Sequence, residues 1–217
     1  MAKEKLGMRI GESVFCVCYL LFAFISGIIF LINGSNIRFL IYGIMTLVLG
    51  LGDSFHLIPR VIKNIKGDSE RVKWWMNLGN LITSITMTIF YLILFYLWKY
   101  TNPTVRFIKL IPILIWVTCL SRIIICLLPQ NHWFSGGNFK LSVCRNLIFC
   151  VTGFISMLLF LIQGLWFGQV MAICILLSFC FYMPVALFAK ENPKLGILMI
   201  PKTITYIIMI SLGLYLI

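Results

Sequence analysis

The sequence predicts an all-α fold: a polytopic membrane protein with seven transmembrane helices, its N-terminus cytoplasmic and its C-terminus outside. Three observations predict it. The 217 residues are 61% hydrophobic and 11% charged, with a mean hydropathy of +1.04, which is more apolar surface than a soluble domain of that size can bury. The apolar residues fall into seven runs, 13–33, 37–58, 75–98, 107–128, 143–164, 168–189 and 195–217, each near the roughly 20 residues that cross about 30 Å of hydrocarbon. Basic residues gather on one side of that threading. Lys3, Lys5, Arg9, Arg60, Lys63, Lys66, Arg71, Lys73, Lys140, Arg145, Lys190 and Lys194 stand against Arg38, Lys99, Arg106 and Lys109, and such an excess marks the cytoplasmic face.

The whole chain, 1–217, therefore reads as one transmembrane domain in a cell membrane, with a bacterial cytoplasmic membrane as the expected setting. Its net charge of +12 is topology signal and attraction to anionic lipid heads. No basic domain outside the bilayer exists to hold a nucleic acid, so that partner class is excluded. The first apolar run is too long for a cleavable signal peptide and should remain a helix. The eight cysteines lack zinc spacing and read as small core residues, so neither a metal nor a cofactor is expected.

Taken in order, the first helix closes on Asn33-Gly34-Ser35-Asn36, a turn that makes it a hairpin with the second. Gly43, Gly50 and Gly52 of the second helix let a neighbour approach closely. Pro59 and Arg60 are expected to end that helix, leaving 59–73 as a charged surface connector before the interfacial pair Trp74-Trp75. The third helix carries Asn77, Asn80, Ser84, Thr88 and Tyr91 on one face. Trp98 and Tyr100 are expected at the outer interface, and Asn102-Pro103 turns into the fourth helix, which bears Arg122 about five residues before its end. There Arg122 would either snorkel to the interface or pair with an acid. The fifth helix opens on Arg145-Asn146, the sixth contains Tyr182 and Pro184, and the seventh carries Pro201, Lys202 and Tyr206 in its first half.

The chemistry centres on Asp53 and His56, an acid and an imidazole on one face of an apolar helix. A carboxylate there is costly without a partner or water. With Asn77, Asn80, Ser84, Arg122, Arg145, Asn146, Lys202 and Tyr206, drawn from four further helices, the threading puts these groups in the cytoplasmic half. The expected function is a polar, cytoplasm-facing intramembrane cavity that binds a small anionic ligand or a lipid head group, for transport or sensing. One alternative is a membrane-embedded enzyme acting on a lipid-like substrate, with Asp53 and His56 as acid and base. Another is purely structural pairing, Asp53 with Arg122 or Lys202. Membrane lipids are the expected partners, and the oligomeric state is left open.

Two families share features with these residues. Leu128-Pro129-Gln130 resembles, in a single copy, the Pro-Gln dipeptide of seven-helix PQ-loop transporters. The layout is similar to that of zinc-dependent membrane hydrolases such as alkaline ceramidases, where His56 would match the helix-two ligand. The histidine pair on helix seven that this resemblance implies would fall on Lys202 and Tyr206, so their zinc site cannot be built here.

Overall fold

A computed structural model describes residues 2–34, 36–102, 110–189 and 191–215. Ser35, Pro103, Arg106, Lys109 and Lys190 lie outside them, as do 107–109 of the fourth run and the last two residues of the seventh. The described chain is helical throughout: α1 (Ala2–Ile32), α2 (Ile37–Lys66), α3 (Glu70–Thr101), α4 (Leu110–Leu127), α5 (Phe139–Ile162), α6 (Trp166–Phe188) and α7 (Met199–Tyr215). Two 3-10 turns, Pro129–Asn131 and Pro193–Leu198, precede α5 and α7. Among the described residues, seven helices are long and apolar enough to cross a membrane.

Each helix packs antiparallel to the one before it. Gly43 meets Leu31 while Asn64 reaches Glu12, Gly52 meets Thr86, Arg122 reaches Thr88, Thr152 bonds Thr118, and Tyr182 bonds Asn146. α7 then packs on α1 and α2 as well as α6, closing a ring, and α3 reaches across it to α5. The end that holds the start of α1 and the α2–α3, α4–α5 and α6–α7 connections is the near end; the other is the far end.

The helices are longer at the near end than the apolar runs suggest. α2 does not stop at Pro59; it continues to Lys66, and Gly67–Ser69 is the whole connection to α3, whose first turn Ser69 caps by accepting from the Val72 amide. The charged residues of the expected connector lie on helices that continue past the apolar stretch, because a helix needs no hydrocarbon around it to keep its backbone bonds. Pro59 cannot donate to the carbonyl of Phe55 one turn back. Gly79 of α3 packs directly on that carbonyl and on His56, where a Cβ would overlap the α2 backbone.

One further expectation is corrected, and two local features stand beside it. Trp98 is buried in the core rather than interfacial, whereas Tyr100 beside it is exposed. Pro201 falls in the first turn of α7, where an amide is not needed, so it frees no carbonyl inside the helix. The connector after α4 is ordered by its own side chains: buried Asn131 donates to the terminal carbonyls of Ile125, Cys126 and Leu128, and Trp133 donates to Cys126 at 2.9 Å.

Candidate functional site: charged groups inside the ring

Asp53 sits near the middle of α2, 8% exposed, and accepts one hydrogen bond at 2.7 Å from the hydroxyl of Tyr19 on α1. Lys202 of α7 is the second buried charge, 5% exposed, and among the described residues it forms no ion pair with Asp53. The ammonium lies over two aromatic faces, 5.2 Å from the ring of Tyr182 and 5.1 Å from that of Tyr206. Such faces attract a cation but do not neutralise it.

Arg122 of α4 forms the third corner. It is 1% exposed, donates at 2.8 Å to Thr88 of α3, and stacks 3.4 Å over the ring of Phe149 of α5. It neither snorkels nor pairs with Asp53. Its Nε is buried with no partner, and its charge is felt at Lys202. Around these groups the hydroxyl of Tyr91 meets that of Ser178 at 3.2 Å, Tyr182 donates to Asn146 at 3.0 Å, and the ring of Tyr206 packs on Phe90. Tyr19, Asp53, Thr88, Phe149, Ser178 and Lys202 lie near the middle of their helices, and Arg122, closer to the near end of α4, reaches the same level through Thr88 and Phe149.

The remaining residues singled out by sequence are less central. His56 is one turn from Asp53 toward the near end, half-buried, with Nδ1 buried and unpartnered and no hydrogen bond to the carboxylate. Asn77 is half-buried and Asn80 exposed, while Ser84 donates back to the carbonyl of Asn80 on its own helix at 2.7 Å. Only the far end of that stripe, Thr88 and Tyr91, enters the interior. Asn146 is buried as the acceptor for Tyr182. Arg145 lies at the near end, held by Asn131 at 2.6 Å and Ser142 at 3.3 Å and stacked 4.1 Å from Trp133, where it braces the α4–α5 connection.

Sequence reasoning gave no site role to Tyr19, Phe149, Ser178 and Tyr182. The signal for Tyr19 was present: Glu12, Cys16 and Tyr19 recur at helical spacing on one face of α1. Among the described residues no three His, Cys, Asp or Glu side chains converge as metal ligands would. No protein-family model matches this chain, and no curated protein or solved structure matches it either.

Proposed function

We propose that this chain is a multi-pass membrane protein that binds a small anion or an anionic lipid head group inside its helix ring, between Arg122 and Lys202, for transport or sensing. One observation carries the reading. Two cations are buried at mid-height with a single carboxylate, and among the described residues none of the three is joined to another in an ion pair. An uncompensated charge in an apolar interior is costly. An anion seated between Arg122 and Lys202 would remove that cost and supply the acceptor that the Arg122 Nε lacks.

The position at mid-height favours transport within this reading, since substrates that cross a bilayer are held near its midplane. The acid/base alternative draws less support, because Asp53 is engaged by Tyr19 and not by His56. Arg9, Arg60, Lys63, Lys66, Arg71, Lys73, Lys140, Arg145 and Lys194 gather at the near end and support a cytoplasmic location for it. A bacterial cytoplasmic membrane is the setting we propose.

The test is thermal unfolding in nanodiscs of neutral lipid, titrated with inorganic phosphate or with phosphatidic acid. A rise in Tm with phosphate alone identifies a soluble anion, and a rise with phosphatidic acid alone identifies a lipid head group. Arg122→Met and Lys202→Met should each abolish the rise. Arg122→Met should also melt above the wild type without ligand, because a buried, unpaired charge has been removed. No rise with either probe, or a rise that survives both substitutions, would overturn the reading.

A further inference from the structure

The ring interior is not equally polar toward its two ends. On α2, Asp53, His56, Arg60 and Asn64 advance by three, four and four residues toward the near end, so they form one stripe. α1 faces it with Tyr19, Cys16, Ser13 and Glu12. Contacts join the two helices at both ends of the stripe. Tyr19 bonds Asp53 at 2.7 Å, Cys16 lies within the fields of Asp53, Arg60 and Glu12, and Asn64 donates to Glu12 at 3.2 Å and to Ser13 at 3.3 Å. Arg60 is joined to Glu12 at 2.5 Å and lies against Gly196 of the α6–α7 connection, so α1, α2 and the lead into α7 meet at this residue. His56, between Arg60 and Lys202, feels both charges and keeps its buried Nδ1 unpartnered.

Exposure falls along this column. Arg60 and Glu12 side chains are each 26% exposed, Ser13 is 9%, Cys16 5% and Tyr19 1%. Beyond Asp53 the same three helices change character. The rings of Phe30 and Tyr42 pack at a tilt with centroids 5.0 Å apart, Tyr42 donates to the Met209 carbonyl at 2.9 Å, and Gly213 is so close to both rings that a Cβ would overlap them.

A row of charged and titratable side chains buried between membrane helices is expensive unless water or a solute reaches it. We infer that the α1–α2–α7 seam is the aqueous access route from the near end to the interior anion site, with the Glu12–Arg60 ion pair as its gate. Arg60 selects for negative charge along the route, as a basic group lining a narrow path attracts anions and repels cations. Opening the gate separates α1 from Arg60 and leaves that guanidinium free to meet the incoming anion. The inference rests on the anion-binding reading above for its solute, but the route itself is tested without any ligand.

Cys16 is a native reporter halfway along it. The full chain in nanodiscs is treated with methanethiosulfonate ethylsulfonate, an impermeant anionic thiol reagent, and the modified sites are mapped by peptide mass spectrometry. Cys16 should react slowly in the wild type and at least tenfold faster in Glu12→Gln and in Arg60→Gln, two substitutions at partly exposed positions. A cysteine introduced beyond Asp53, Thr46→Cys, should stay unmodified in all three backgrounds. Unchanged Cys16 reactivity in both gate variants overturns the inference. So does modification at position 46 that keeps pace with Cys16, which would mean general loosening of the bundle. Either result leaves the phosphate and phosphatidic acid titrations standing, and failure of those titrations leaves the labelling result intact.

Discussion

The two halves of the α1–α2–α7 seam are built from the same helices in the same register, yet they solve opposite problems. Toward the far end, Phe30, Tyr42, Met45, Leu49, Met209 and Ile210 are at most 1% exposed, and the helices close on Gly213. Toward the near end, the seam is filled by Glu12, Arg60, Asn64, His56 and Asp53, which touch through hydrogen bonds and fields rather than through packed rings. Packing of the first kind is dense and unforgiving of added atoms. Polar contacts of the second kind can exchange partners with water at small cost. The difference sets a half packed as a seal against a half that, on the inference above, is a passage, although hydropathy assigns both to the same membrane spans.

The largest expected effect breaks or sustains that contrast by adding one methyl group to each half. Gly213→Ala drives a Cβ into the rings of Tyr42 and Phe30 and should cost about 3 kcal/mol, the upper range for overpacking. Gly196→Ala meets only the end of Arg60, at 3.9 Å, and should stay within about 0.5 kcal/mol of the wild type. Reversible unfolding in mixed micelles measures both. Equal costs would mean that the near half is packed as tightly as the far half, and the distinction would be lost.

A smaller effect sharpens the comparison chemically. Tyr19 and Tyr42 are both 1% exposed and each donates one hydroxyl bond, but Tyr19 donates to the Asp53 carboxylate and Tyr42 to a helix carbonyl. Tyr19→Phe removes the one hydrogen bond that Asp53 accepts among the described residues and should cost about 2 kcal/mol, while Tyr42→Phe should cost about 1 kcal/mol. Combining Tyr19→Phe with Asp53→Asn should recover part of the first loss, because the charge no longer needs a donor. A double-mutant cycle reads this directly as a coupling energy. A cycle with no coupling would show that the Tyr19–Asp53 bond contributes nothing.

These contrasts also explain what was legible in the sequence. Seven apolar helices could be counted because the length of an apolar run is a one-dimensional property, and the close approach expected at Gly43, Gly50 and Gly52 is seen at Leu31, Ala23 and Thr86. The extent of a helix is less legible than its apolar part: α2 continues past Pro59 to Lys66, with its charged last turns beyond the apolar stretch. A face can be read from spacing, but what covers it cannot. Asn80 shares a face with Thr88, yet α4, which covers Thr88 through Arg122, ends at Leu127 and leaves Asn80 exposed. Arg122 was expected to seek water or a carboxylate, and it instead found a hydroxyl and an aromatic face on two helices whose proximity no local pattern announces.

The smallest effect concerns two polar atoms without partners, one in each half. Thr46 Oγ1 lies in the sealed half and His56 Nδ1 in the polar column, both buried and unbonded. In a region closed to water an unsatisfied hydroxyl is only a cost, so Thr46→Val, which keeps the shape and removes the group, should stabilise the protein by up to about 1 kcal/mol. That gain should be the same with or without phosphate or phosphatidic acid, since nothing polar is to arrive there. His56→Leu removes an orphan of the same kind, but in a column that a solute is to enter, and its consequence should fall on the rate of anion binding more than on Tm. Stopped-flow binding together with thermal unfolding of the two variants separates the cases. A Thr46→Val variant that lost stability would mean that its hydroxyl is solvated, and the far half of the seam would then be no seal.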